Sequence, residues 1–196
     1  GKYGVGMTTT VTAPTGNYAG LSASDGVREY RGIRYANAGR FAEPTLQDRD
    51  LGDVAADTFG GIAFQVPGFL ELSQGMSVDD MSEDCHFLNI YVPADADAAS
   101  NLPVLFWVHG GGFVNGSGSA AWYDGGNLAR RGTVVVTINY RRGAFGYIGD
   151  RNLGHEVVQR RDPGHLALGA HGRQQGAGQG AAILPDAIGP GRRSLD

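Results

Sequence analysis

Pro103-Val104-Leu105-Phe106-Trp107-Val108-His109-Gly110-Gly111-Gly112-Phe113 joins an uninterrupted apolar run to three consecutive glycines. Aliphatic and aromatic side chains without polar alternation, over the length of one strand, belong to a strand buried on both faces of a sheet. A second such run, Thr133 to Tyr140 (T-V-V-V-T-I-N-Y), follows a short amphipathic helix candidate at Gly126 to Arg131. Strand, glycine-rich loop, short helix, strand is the outline of an α/β fold with parallel central strands.

Toward the N-terminus the signals become antiparallel. Thr8 to Ala13 reads as extended, Gly16-Asn17 as a turn, and Val27 to Arg31 as a strand after the Asp25-Gly26 turn signal. Residues 36–84 show no strong period and are punctuated by Pro44, Gly52, Gly60, Gly61, Pro67 and Gly68, which predicts a surface excursion with short helices. Phe87 to Val92 is a further strand candidate, closed by Pro93. Beyond residue 150 no Phe, Tyr or Trp occurs, and Gly, Arg, Gln and Ala crowd in, as in G-R-Q-Q-G-A-G-Q-G-A-A. Such a composition buries little surface, so residues 155–196 are expected to form an aberrant, disordered tail.

At 196 residues the chain can build one domain with a sizeable core. Hydrophobic residues make up 41% and charged residues 18%, and no run of about 18 apolar residues could span a bilayer, so no membrane role is expected. Residues 1–7 lack the apolar stretch of a secretory signal and read as a leader or tag-like segment, with Met7 a candidate initiator. A cytoplasmic location is the expectation, with secretion left open. The net charge of -4 recommends no nucleic-acid partner. Cys85 is the only cysteine, which excludes an internal disulfide and a cysteine-based zinc site and suggests a small buried residue. Lys2 is the only lysine among the basic residues, a bias toward arginine that hints at a GC-rich coding sequence.

The chemistry concentrates in the glycine loop. Glycines can turn their amides inward and let a substrate oxygen approach to hydrogen-bond distance. Two adjacent N–H groups aimed at one point form an oxyanion hole, and losing one donor of this kind costs about 2.7–4 kcal/mol in the barrier. A flexible glycine loop without chemistry is the alternative reading. A phosphate cradle is disfavoured, because no G-x-x-x-x-G-K-[ST] or G-x-G-x-x-G pattern opens a helix here.

Five ordered blocks give the loop a context: Tyr30-Arg31-Gly32-Ile33-Arg34-Tyr35-Ala36 with Arg40-Phe41; Ser82 to Pro93; Pro103 to Phe113; Tyr123-Asp124-Gly125; and Asn139-Tyr140-Arg141 leading into Gly143-Ala144-Phe145-Gly146-Tyr147. With these blocks residues 8–154 resemble the N-terminal third of the type B carboxylesterase and cholinesterase family of α/β-hydrolases. The resemblance implies the N-terminal portion of an α/β-hydrolase fold, with a mixed central sheet and antiparallel N-terminal strands. It implies a carboxylic ester hydrolase that works by serine acyl transfer on a small-molecule carboxylic ester, with no cofactor and no metal. Gly111 and Gly112 match the family's oxyanion donors; the third donor is the residue after the nucleophilic serine, which has no located counterpart here. Phe113 and Trp107 would lie near the gorge, and Arg40 would pair with Glu83 as a structural ion pair. The chain departs from the family pattern at Arg34, where proline is usual, and in the short Ala36-Asn37-Ala38-Gly39, which implies a trimmed pocket rim. A single cysteine also rules out the disulfide of the cholinesterase branch.

A serine esterase of this type needs Ser on a G-x-S-x-G elbow, then an acid, then His, in chain order. No serine of the chain has glycines two residues to either side. Ser117 and Ser119 have the wrong flanks. Of the five histidines, His86 lies in a strand motif, His109 in the loop, and His155, His165 and His171 in the tail at spacings that suit no metal signature. The reading frame is therefore expected to shift at about residues 154–160, and the chain to be a truncated or frameshifted fragment without turnover. Thr133 to Tyr140 would then lack a neighbouring strand, an exposed apolar edge that predicts poor solubility. A non-catalytic adhesion or binding protein on the same fold is the second reading, and a pseudogene product without function the third.

Overall fold

The computed structural model describes residues 8–23, 25–73, 78–147 and the strand 181–184. Its centre is an eight-stranded mixed sheet. The strands are β1 (Thr8–Ala13), β2 (Gly16–Ala23), β3 (Val27–Arg34), β6 (Asp53–Ala55), β7 (Phe87–Pro93), β8 (Val104–Val108), β9 (Val134–Ile138) and β10 (Ala181–Leu184). The order is β1-β2-β3-β7-β9-β8-β10, with β6 pairing β2. Strands β1, β2, β3, β7 and β9 run antiparallel in succession, whereas β8 and β9 are parallel in the register Val104↔Val134 to Val108↔Ile138. The expected mixed sheet with antiparallel N-terminal strands and a parallel central pair is therefore present.

Strand β9 explains its own sequence. All five of its residues are buried. Val134, Val136 and Ile138 face one cluster with Val104, Leu88, Ile90 and Phe106, while Val135 faces the other way onto Val27, Tyr91 and Ala129. Ala129 belongs to α2 (Gly126–Ala129), the short helix between the parallel strands. Covered on both faces, β9 has no reason to alternate polar and apolar residues.

Several expectations change. Residues Pro14 and Thr15 form the first turn, and Gly16 already pairs with Ala13 as the start of β2. Gly16 adopts φ 143°, and a Cβ there would lie 2.7 Å from the Gly52 carbonyl oxygen, so a side chain is excluded by both conformation and space. Strand β3 runs past Arg31 to Arg34, with its register to β7 broken between Tyr30 and Ile33 around Gly32. The 36–84 excursion holds β4 (Ala36–Asn37) paired to β5 (Thr45–Leu46), the helix α1 (Phe69–Ser73), a 3-10 turn at Val78–Asp80, and β6.

The open-edge expectation is corrected. Strand β9 is paired on both sides, by β7 and β8, and the strand with a side to spare is β8. That side takes β10 antiparallel, Ala181↔Trp107 to Leu184↔Val104. Region 155–196, for which composition gives disorder, thus contributes one strand where an Ala-Ala-Ile-Leu run meets Val-Leu-Phe-Trp. The rest of that region, with His155, His165 and His171, the leader 1–7 and the frame change at 154–160 lie outside the described residues. No helix among the described residues is long and apolar enough to cross a membrane.

Candidate active site

The glycine loop leaves the C-terminal end of β8 and returns to the sheet through three left-handed residues, Gly111 (φ 116°), Gly112 (φ 60°) and Phe113 (φ 65°). Phe113 is one of three non-glycine residues in that region of conformational space among the described residues, a strain that surrounding contacts must hold. Its carbonyl accepts from the Gly143 N–H (3.0 Å) at the start of α3 (Gly143–Tyr147), and its ring meets Tyr147 edge-on at 4.9 Å. The Gly111 carbonyl accepts from the N–H groups of Val114 (3.0 Å) and Asn115 (3.1 Å). The N–H groups of Gly111 and Gly112 have no partner among the described residues.

Beside the loop lies a cavity of about 430 Å³. Gly110, Gly111 and Gly116 form part of its wall, Phe59, Trp122 and Tyr123 supply aromatic surface, and Glu71 and Asp80 supply carboxylates. Gly112 stands one residue outside this lining. Consecutive unpaired amides at the rim of a concave space can donate to an incoming anionic oxygen.

Four residues from elsewhere in the chain build the loop's support. Gln65 clamps Gly116, accepting from its N–H at 2.6 Å and donating to its carbonyl at 3.0 Å. Asn139, just past β9, accepts from the Gly118 N–H (2.7 Å) and the Ser117 hydroxyl (3.2 Å). Tyr140 donates its hydroxyl to the His109 carbonyl at 2.8 Å. Arg142, 1% exposed, reaches the Gly110 carbonyl (2.9 Å), His109 Nδ1 (2.7 Å) and the Tyr140 hydroxyl (2.7 Å) through one nitrogen, Nη2. Sequence reading did not single out these supporting roles. Their one trace is that Asn139-Tyr140-Arg141-Arg142 continues directly from an all-buried strand, so that polar residues there enter the interior.

His109 is neutral: burial, and then the Arg142 charge, push its imidazole down to about 3. Arg142 Nη2 lies close to both ring nitrogens, 2.7 Å from Nδ1 and 3.3 Å from Nε2. Nδ1 also lies at hydrogen-bond distance, 3.1 Å, from the Gly110 carbonyl oxygen. Burial likewise lowers His86 to about 4; its Nδ1 has no partner, and the ring meets Tyr35 edge-on at 5.8 Å. Cys85 is fully buried, and burial pushes its thiol up to about 12, which disfavours the reactive thiolate.

Ser117 and Ser119 line the cavity but are committed to the loop. The Ser117 hydroxyl meets Ser119 Oγ at 2.5 Å and Asn139 Oδ1, and no histidine is among the hydrogen-bond partners of either serine in the described residues. Trp107 stands behind Tyr123 (5.2 Å) and does not line the cavity, and Phe113 is exposed at the loop's tip. Arg40 and Glu83 pair through Nε at 2.9 and 3.0 Å. Arg34 forms a two-pronged pair with Asp84 (2.5 and 2.6 Å) and lies over the Phe87 ring. Among the described residues no group of three or more His, Cys, Asp or Glu side chains is placed to hold a metal ion.

Comparison with known proteins agrees with this architecture. A probable N-octanoylanthranilate hydrolase of Rhodococcus erythropolis is 43% identical over 145 residues, which are 72% of this chain and 32% of that protein. The para-nitrobenzyl esterase of Bacillus subtilis is 38% identical over 143 residues, 70% of this chain and 28% of that one. Among solved structures, a thermophilic PNB esterase superposes with a TM-score of 0.65 at 36% identity, covering 73% of this chain and 30% of its own. A carboxylesterase of Geobacillus stearothermophilus gives 0.61 at 39%, covering 72% and 28%. The chain thus spans about a third or less of the relatives it matches, and the shared fold is that of the α/β-hydrolase esterases. Residues 7–156 match the sequence model of the Carboxylesterase family, and the chain belongs to that family.

Proposed function

We propose that this chain supplies the oxyanion-binding amides, Gly111 and Gly112, of a serine carboxylic ester hydrolase. One observation carries the reading: two consecutive N–H groups without a partner among the described residues, at the C-terminal end of an inner strand, beside a cavity with aromatic walls. An ester carbonyl placed there would gain negative charge as a nucleophile adds to it, and preorganised donors in a partly dry site stabilise that charge more than the uncharged ester. The aromatic wall of Phe59, Trp122 and Tyr123 suits an apolar acyl or aryl group. The names of the two relatives carry aromatic groups of this kind, a para-nitrobenzyl ester in one and N-octanoylanthranilate, an N-acyl amide, in the other.

The nucleophile, its histidine and the orienting acid are not assigned to this chain. Ser117 and Ser119 lack both the elbow flanks and a base, so the 196-residue chain alone is expected not to turn over p-nitrophenyl butyrate or to react with a fluorophosphonate. Covalent labelling of either serine would overturn that assignment. The oxyanion reading is tested directly by adding octanoate, whose carboxylate is the product's anion, to the 15N-labelled chain. The Gly111 and Gly112 amide signals are expected to move downfield and saturate; two unmoving signals at saturating octanoate would remove the reading.

A further inference from the structure

Arg142 is the largest fully buried side chain among the described residues, and no carboxylate there pairs with it. Its Nε and Nη1 are buried without a hydrogen-bond partner in the same set. A guanidinium held in this way is costly unless its remaining contacts matter. Those contacts all come from Nη2, and they fall on the first peptide units of the glycine loop and on the tyrosine that holds them.

Peptide planarity turns these contacts into an orientation. In a trans peptide the C=O and the following N–H point in opposite directions, so fixing one aims the other. The Tyr140 hydroxyl holds the His109 carbonyl and thereby aims the Gly110 N–H. Val114 and Asn115 hold the Gly111 carbonyl and thereby aim the Gly112 N–H. The plane between them, Gly110 to Gly111, is flanked by glycines that rotate with little penalty. Its carbonyl oxygen accepts from Arg142 Nη2 at 2.9 Å, with His109 Nδ1 the other nitrogen within reach, at 3.1 Å. The same Nη2 lies 2.7 Å from the Tyr140 hydroxyl, to which it donates, and 2.7 Å from His109 Nδ1.

We propose that Arg142 is a positioning residue that holds the Gly110 carbonyl backward, so that the Gly111 N–H faces the cavity beside Phe59, Trp122 and Tyr123. The inference rests on the oxyanion reading for its functional meaning, and on Nη2 and the Gly110 carbonyl alone for its geometry. Among the described residues no carboxylate offsets the Arg142 charge behind the loop, and that charge raises the potential felt by an anion bound in front of it. Its action is through the backbone of Gly110 and Gly111, and it touches no reacting atom.

The test uses the full 196-residue chain labelled with 15N and 13C, in wild-type form and as R142M and R142K, with thermal melts to identify the folded variants. Methionine fills similar volume without the buried charge, a replacement that proteins often accept without loss of stability. In the wild type, a scalar coupling across the hydrogen bond from Arg142 Nη2 to the Gly110 carbonyl carbon is expected. Its absence overturns the proposal without any variant. In R142M the Gly110 carbonyl carbon signal should move upfield, the Gly111 N–H dipolar coupling should change, and octanoate affinity should fall about tenfold. R142K should recover part of the carbonyl shift and of the affinity. A folded R142M with unchanged Gly110 and Gly111 signals overturns the positioning role. Octanoate that moves neither glycine amide in the wild type counts against the oxyanion reading instead, and leaves the wild-type coupling to decide the geometry.

Discussion

A methyl group meets very different surroundings at Gly111 and at Gly112. At Gly111 the added carbon would lie 1.8 Å from the Asn115 carbonyl oxygen, on a backbone at φ 116°; at Gly112 it meets nothing within 4 Å, at φ 60°. G112A should therefore cost only the left-handed conformation, about 1–2 kcal/mol, and leave the loop in place. G111A must move the Asn115 backbone and with it the turn that aims Gly112, so it should lose more stability and the octanoate response as well. Urea unfolding midpoints and the titration separate the two. Both buried histidines set a pH dependence whose sign is fixed by their downward shifts. In the unfolded chain each binds a proton near the ordinary 6.5, but in the folded chain His86 does so only near 4 and His109 near 3. As pH falls from about 6.5 toward 4, the unfolded chain takes up protons that the folded chain excludes, and stability falls throughout that window. At about 1.4 kcal/mol per unit, the two together amount to several kcal/mol. Glu83 and Asp84, held low by Arg40 and Arg34, stabilise above their ordinary range and lose that contribution only at more acidic pH. H86F, which removes an unpaired buried nitrogen, should roughly halve the slope of the pH 6.5 to 4 limb of the melting curve series, His109 supplying the rest, without lowering the melt at pH 7. A wild-type melting temperature that stays level from pH 7 to pH 4.5 would contradict the assignment.

Strand β9 and the residue that follows it carry the next comparison. Ile138, 5% exposed, packs in the larger cluster, and I138V should cost about 0.5–1.5 kcal/mol as a small cavity. Asn139, 2% exposed, accepts from the Gly118 N–H and the Ser117 hydroxyl with one oxygen; the hydroxyl keeps Ser119 Oγ, but N139A strands the Gly118 N–H and should cost about 1–3 kcal/mol despite removing less apolar surface. Equal unfolding midpoints for the two variants would show that Asn139 is not a clamp. The same contrast explains what was legible in the sequence. Strands β8 and β9 could be read because burial on both faces writes itself as an unbroken apolar run. Strand β2, Gly-Asn-Tyr-Ala-Gly-Leu-Ser-Ala, could not, since its two glycines and polar residues are tolerated by pairing with β1, β3 and β6, which no local pattern records. Gly20 must stay small, because a Cβ there would press on the Glu29 carbonyl and the Tyr30 ring. In the site, the glycines were legible because their chemistry demands bare backbone in sequence. Gln65, Asn139 and Arg142 act on the loop from 21 to 51 positions away, and only the folded sheet brings them there.

Among the described residues of the whole molecule the sheet ends at β10, next to β8. The strand exposed to a wrong partner was expected to be β9, but the parallel pairing of β8 with β9 moves that hazard to β8, on the side opposite β9. Val-Leu-Phe-Trp-Val is a short, uncharged, β-prone segment, and a free row of its N–H and C=O groups would template pairing with another chain. Four residues, Ala181–Leu184, occupy that row across Val104 to Trp107. A chain ended at residue 180 should therefore keep β1 to β9 but self-associate at lower concentration than the full chain. Light scattering and sedimentation velocity should show larger species for the shortened chain, while far-UV circular dichroism shows little loss of strand. If the two chains sediment alike over a hundredfold concentration range, β10 is not what shields β8, and the edge must be protected by its own twist or by residues elsewhere. The loop is coupled to this outcome, because His109 to Gly112 start where β8 ends: association through β8 should broaden the Gly111 and Gly112 signals before those of β1 and β2 at the far side of the sheet.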